Sequence, residues 1–205
     1  MLNFPSVELA DEDGVLCIGG NLNSETLCAA YHQGIFPWPI YEEFPVVWFA
    51  PPMRGVLFFD EFHIPKSAAK MLRREKYECR TNTAFEQVIS HCANRPDGTW
   101  ITPDIIDAYI NLHREGVAHS VETYFEEELV GGLYGVSWGK YFCGESMFHL
   151  RSGASKAALV HLVEYLKTRG IKWIDIQNIS PLFELFGARE IPRAEFMTLL
   201  KSAIE

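Results

Sequence analysis

The segment Trp173-Ile174-Asp175-Ile176-Gln177 sets a carboxylate and a carboxamide two positions apart in an otherwise apolar run. Side chains alternate along a strand, so residues 175 and 177 project to the same side of a sheet, where they can act together. The plain alternative is a strand-end Asp beside a solvated Gln, the usual fate of polar residues at loops and edges. A second carboxylate, Glu145, interrupts the apolar stretch Phe142-Cys143-Gly144-Glu145-Ser146-Met147-Phe148. Such a group either meets an incoming cation through charge-assisted hydrogen bonds or belongs to an internal ion pair. Between residues 65 and 76, Lys66, Lys70, Arg73 and Arg74 recur at helical spacing and share one face. That face either grips a nucleic-acid backbone through its phosphates, which needs no base reading, or is solvated surface. The seven histidines form no H-x-x-x-H or H-E-x-x-H arrangement, so metal ligation has no sequence support. The glycine fingerprints of serine hydrolases, P-loop NTPases and dinucleotide-binding proteins are absent.

These groups need a scaffold, and the composition supplies one. A chain of 205 residues that is 48% hydrophobic and 22% charged can bury one sizeable core, or a domain with a smaller lobe attached. The first residues lack a basic and then apolar leader, and no run of eighteen apolar residues occurs, so neither export nor membrane spanning is expected. Five cysteines without close pairing read as free thiols of a reducing cytosol. The net charge of −9 is unevenly spread. Residues 1–60 hold eight acids and a single base, Arg54, whereas residues 61–80 hold six bases and three acids. The distribution allows a local anionic partner that the sum disfavours.

Residues 1–60, rich in Pro, Gly and aromatics, read as a small lobe of loops and short strands with one helix at 24–33, capped by Ser24 and stopped by Gly34. Residues 61–205 read as a larger domain. Helices are expected at 65–76, at 83–93, and from Thr102 as cap with Pro103 in the first turn. Period-2 segments at 119–125, 128–137 and 140–148, joined at Glu126-Glu127 and Trp138-Gly139, predict three consecutive antiparallel strands. An amphipathic helix at 154–167, a buried strand at 171–177 and a helix at 192–203 complete the order. The expected fold is α+β: a mainly antiparallel sheet flanked by helices, by analogy with acyltransferases of the N-acetyltransferase (GNAT) type.

Six ordered blocks carry a more specific likeness: Gly34-Ile35-Phe36-Pro37-Trp38, Gly98-Thr99-Trp100-Ile101-Thr102, Ala118-His119-Ser120-Val121-Glu122, LVGGLYG at 129–135, GESMF at 144–148 with Ala154-Ser155-Lys156, and Asp175-Ile176-Gln177 with Phe186-Gly187-Ala188. In these the chain resembles the leucyl/phenylalanyl-tRNA–protein transferase family over nearly its whole length. The sequence departs from the family pattern at His149, Gly153, Ile176 and Pro181-Leu182, which leaves the donated amino acid open.

The resemblance implies transfer of Leu, or Phe or Met, from aminoacyl-tRNA to a protein whose N-terminal residue is Arg or Lys, marking it for degradation. The ester is already activated, so the enzyme has to align an amine of pKa about 7.7–8.0, accept its proton and stabilise an oxyanion. No cofactor or metal is implied. By the same resemblance Asp175 accepts or orients a proton and Gln177 contacts the reacting amine or ester. Glu145 receives the basic acceptor, and Trp38, Trp100, Leu133 and Phe142 wall the aminoacyl pocket. Lys66, Lys70, Arg73 and Arg74 then meet the tRNA, and the protein is a cytoplasmic monomer. The rival readings are an acetyl-CoA-dependent N-acetyltransferase, a tRNA-dependent cell-wall peptide enzyme, and a non-catalytic RNA-binding module.

Overall fold

The computed structural model describes residues 4–38, 46–94 and 99–205. After a short 3₁₀ helix (Val7–Leu9) come β1 (Val15–Ile18), α1 (Ser24–His32), β2 (Phe36–Pro37), β3 (Val47–Phe49) and β4 (Met53–Phe58). Then follow α2 (Lys66–Glu75), β5 (Glu78–Thr81), α3 (Phe85–Ala93), α4 (Pro103–Arg114), β6 (Ala118–Phe125), β7 (Glu128–Trp138) and β8 (Tyr141–His149). The chain ends with α5 (Ala154–Thr168), β9 (Trp173–Gln177), α6 (Pro181–Leu185), β10 (Arg189–Pro192) and α7 (Arg193–Ile204).

The strands form two sheets, a small one in the order β1-β3-β2 and a seven-stranded one in the order β10-β4-β9-β8-β7-β6-β5. Every pairing in the large sheet is antiparallel except β8 with β9, which are parallel with Cys143 opposite Asp175. This α+β arrangement, a mainly antiparallel sheet flanked by helices, is the expected one. Within residues 1–60, however, β4 sits between β10 and β9 in the large sheet. Its run Met53-Arg54-Gly55-Val56-Leu57-Phe58 buries Val56 and Leu57 on opposite faces, as an interior strand must.

Local signals explain the elements. The cap of α1 is Asn23, whose side chain accepts the Thr26 N–H, and not Ser24, which bonds Glu115 instead. Thr102 does cap α4, with Pro103 in the first turn. Glu126 and Glu127 both take left-handed backbone conformations in the β6–β7 turn. The carboxylate of Glu122 is buried and accepts the Thr83 N–H at 3.2 Å, the Thr83 hydroxyl at 2.8 Å and the Ser120 hydroxyl at 2.5 Å, which ties the start of α3 to β6. Two cores flank the sheet. One, with Tyr31, Tyr109, Tyr141 and Phe196, lies under α1, α3, α4 and α7. The other, with Leu133, Phe142, Leu159 and Leu162, lies under α5.

Candidate active site

Three of the side chains singled out from the sequence converge where β8 and β9 meet. Asp175 and Gln177 lie on the face of β9 opposite Ile174 and Ile176, which pack into the core under α5. Glu145 comes to the same face of β8 through a β-bulge. The β7–β8 register steps from Tyr134 opposite Ser146 to Gly135 opposite Gly144, so Glu145 is the extra residue. A glycine makes that possible: a Cβ on Gly135 would stand 2.2 Å from the Cys143 carbonyl oxygen. A second bulge makes Ile176 the extra residue of β9 against β4, again opposite a glycine, Gly55. Just past it Gln177 has φ of +61°, a left-handed conformation uncommon for a side-chain-bearing residue.

The two carboxylates have different surroundings. Asp175 is fully buried. Its Oδ1 accepts Arg54 Nε at 2.8 Å and the Gln177 backbone N–H at 2.9 Å; its Oδ2 accepts Arg54 Nη2 at 2.7 Å and the Tyr141 hydroxyl at 2.6 Å. Burial opposes the charge of Arg54, but the Asp175 carboxylate outweighs it and raises the guanidinium further above its ordinary range. Glu145 is partly buried and, among the described residues, meets only neutral donors. Its Oε1 accepts Tyr31 Oη at 2.7 Å, Gln177 Nε2 at 3.0 Å and the Cys143 thiol at 3.4 Å, and its Oε2 accepts Tyr109 Oη at 3.3 Å. The Tyr31 and Tyr109 hydroxyls also contact each other. Among the described residues no Lys or Arg pairs with Glu145. Burial pushes its pKa up to about 7, with Asp175 adding to the rise and the Tyr31, Cys143 and Gln177 donors opposing it. Burial likewise lifts the Tyr31, Tyr109 and Cys143 protons well above their usual ranges, so these groups stay neutral donors.

Glu145 also lines a cavity of about 80 Å³ where β8 and β9 part. Its other walls are Gly144, Ser146, Met147, Ile174 and Ile176, with Leu133 and Tyr134 from β7, Leu159 and Leu162 from α5 and Phe183 from α6. Leu133 and Phe142 thus belong to the α5 side of the sheet. Trp38 and Trp100, 6.1 Å apart, pack against the other core, and Phe36 next to Trp38 covers one face of Arg54. The structure therefore brings Asp175, Gln177 and Glu145 into one hydrogen-bonded network and divides the four aminoacyl-pocket candidates into two pairs. Lys66, Lys70, Arg73 and Arg74 are all exposed on α2. Arg74 pairs with Glu75, and no ion pair engages the other three among the described residues. Sequence reading did not place Arg54, Tyr31, Tyr109, Tyr141 or Cys143 in the site. For Arg54 a signal existed, since it is the single base of the first sixty residues. The described residues hold no group of three or more His, Cys, Asp or Glu suited to a metal ion, and no helix among them is long and apolar enough to cross a membrane.

Two family models match the chain, "Leucyl/phenylalanyl-tRNA protein transferase" over residues 56–201 and that family's N-terminal domain over residues 20–52. The chain belongs to this family. It is 49% identical over 205 residues to the leucyl/phenylalanyl-tRNA–protein transferase of Flavobacterium johnsoniae, covering 98% of this chain and 96% of the relative. It is 47% identical over 208 residues to that of an Anaeromyxobacter species, covering 100% and 88%. Among solved structures, FemX aligns with a TM-score of 0.52 at 9% identity, covering 86% of this chain and 70% of that one. The C-terminal domain of a putative lysylphosphatidylglycerol synthetase from Agrobacterium fabrum aligns with a TM-score of 0.50 at 8% identity, covering 88% and 69%. At such identities the two structures speak for the fold alone. As a family member this transferase is an acyltransferase acting with aminoacyl-tRNA as donor and a protein as acceptor.

Proposed function

We propose that the transferase joins Leu, Phe or Met from charged tRNA to proteins beginning with Arg or Lys, with the chemistry centred on Glu145 and Gln177. The observation that carries this reading is a carboxylate without a cation partner at the edge of an apolar cavity, hydrogen-bonded to a carboxamide. The donor side chain enters the cavity, whose Leu133, Leu159, Leu162, Ile174 and Ile176 walls suit an unbranched or γ-branched apolar group. Phe142 backs these walls on the α5 side, and Trp38 and Trp100 meet the aminoacyl end from the other face.

The acceptor's α-ammonium docks on Glu145, the cation that site lacks, and a first residue of Arg or Lys adds a second positive charge in the same field. The ammonium passes its proton to the Glu145 carboxylate, and the nitrogen lone pair attacks the ester carbon. The C–N bond forms, the bond to the tRNA 3′ oxygen breaks, and that oxygen leaves with a proton returned from Glu145. The nitrogen still carries one proton more than an amide holds, and this passes through the freed Glu145 carboxylate to water, so the balance is one amide, one free tRNA hydroxyl and one released proton. Among the described residues no donor meets Gln177 Oε1, which leaves it to orient the amine while Nε2 holds Glu145. The exposed α2 cations take the tRNA backbone. The protein works as a cytoplasmic monomer, and the added residue marks the acceptor for degradation.

Acetyl-CoA-dependent relatives on this fold hold a pyrophosphate at the start of the helix equivalent to α5. Here Met71 of α2 packs on that start: a Cβ on Gly153 would lie 2.3 Å from Met71 Cε. The test is transfer of labelled amino acid from a mixed pool of charged tRNAs to peptides beginning with Arg, Lys, Asp, Glu or Ala. Label from Leu, Phe or Met on Arg and Lys peptides alone is expected. Label on acidic peptides overturns the acceptor assignment, and no label on any peptide overturns the function.

A further inference from the structure

Arg54 is 1% exposed, and each nitrogen of its guanidinium makes a hydrogen bond. Nε and Nη2 form the two-pronged pair with Asp175, Nη1 donates to the Gly34 carbonyl at 3.2 Å, and the rings of Phe36 and Phe196 each lie 4.5 Å from its central carbon. Asp175 is equally committed. A carboxylate offers about four lone-pair directions, and here Arg54 fills two, Tyr141 one and the Gln177 N–H one. Asp175 has no exposed surface and is not among the residues that wall the cavity. To receive a proton it would have to release a donor and leave a buried guanidinium without its counter-charge.

From these contacts we infer that Arg54 is a positioning residue that makes Asp175 a fixed anchor, and that Asp175 takes no proton during transfer. The anchor acts on Gln177. Its bond to the Gln177 N–H is what holds that residue in the left-handed conformation, from which the carboxamide reaches Glu145. The line of force runs from Arg54 to Asp175, to the backbone of Gln177, and through its side chain to Glu145. The inference rests on the proposed transfer reaction and assigns the role of its second carboxylate.

A rescue experiment separates an anchor from a base. Asp175→Asn leaves Arg54 uncompensated, and kcat should fall on the order of a hundredfold or more. Arg54→Gln with Asp175→Asn removes both charges and keeps an oxygen for the Gln177 N–H. Its kcat should return to within about tenfold of wild type, because neutralising both partners of a buried pair avoids the isolated charge. KM for charged tRNA should change little throughout. A folded double variant as impaired as Asp175→Asn would overturn the inference, because a lost proton acceptor cannot be restored by removing its partner. Tyr141→Phe gives a second readout that does not need the double variant to fold. If Asp175 is an anchor, the acid limb of kcat/KM stays where Glu145 sets it; a limb that moves when the Tyr141 donor to Oδ2 is lost overturns the inference. Wild-type transfer is measured first. Its absence counts against the proposed function, whereas wild-type transfer without rescue, or with a displaced limb, counts against this inference alone.

Discussion

Replacing Glu145 by Gln tests the assignment of the proton acceptor through pH. The groups facing Glu145 are Tyr31 from α1, Tyr109 from α4, Cys143 from its own strand, and Gln177 and Asp175 from β9. Burial keeps the two tyrosines and the thiol protonated through neutral pH, so Glu145, with a pKa of about 7, is the enzyme group that titrates there. Below pH 7 the ionised fraction falls about tenfold per pH unit, and kcat/KM should fall with it. With Gln at 145 the amine has to arrive already neutral. The limb should then move to the amine's own range, about 7.7–8.0, and track the acceptor peptide, while kcat drops roughly 10²-fold or more, as for loss of a general base. Stability should run the opposite way. A carboxyl whose folded pKa is raised from 4.5 to about 7 binds more protons folded than unfolded in that window, so stability falls as pH rises through it. Glu145→Gln should flatten that slope in denaturant titrations between pH 4.5 and 7. A variant that kept its acid limb at pH 7 would refute the assignment.

Two further outcomes follow from the geometry. Changing Lys66, Lys70 and Arg73 together to Ala should weaken charged-tRNA binding and reduce the slope of log K against log salt by roughly 2–3, at about 0.7–0.9 per phosphate contact; an unchanged slope would remove α2 from the tRNA interface. Gly135→Ala should reset the bulge that aims Glu145, because its Cβ would stand 2.2 Å from the Cys143 oxygen and 2.7 Å from the Phe142 ring. We expect a loss of about 1–3 kcal/mol by thermal unfolding and a drop in kcat of tenfold or more; a folded variant with full kcat would show that the bulge is not needed.

The strands β6 to β8 and the helix α5 were legible in the sequence because each is long and strongly periodic, the three strands pairing with chain neighbours; β9, five residues long, was legible because its apolar run follows the glycine that stops α5. What escaped was short or non-local. β4 lies in a Pro- and aromatic-rich stretch and finds its neighbours β9 and β10 more than a hundred residues away, so neither period nor turn chemistry announces it. β10 and β5, four residues each, are too short for alternation to register. Ser24 and Asn23 are both good caps, and only the fold shows which side chain reaches the Thr26 N–H.

The site repeats that division at higher stakes. Period alone put Asp175 and Gln177 on one face, yet nothing in the spacing separates their roles from that of Glu145, because a carboxylate's chemistry depends on what surrounds it. One acid is saturated by a buried Arg and a Tyr; the other, two strand positions past the register point Cys143–Asp175, meets only neutral donors and an apolar cavity. The residue that creates the difference is Arg54, a lone base in an acidic, apolar stretch. The strand that carries it, β4, holds no acid of its own and is bound for the core, so the base has to be met by an acid from elsewhere, and in this fold that acid is Asp175. The charge asymmetry of the first sixty residues was therefore already a statement about the active site, readable once β4 is known to lie against β9.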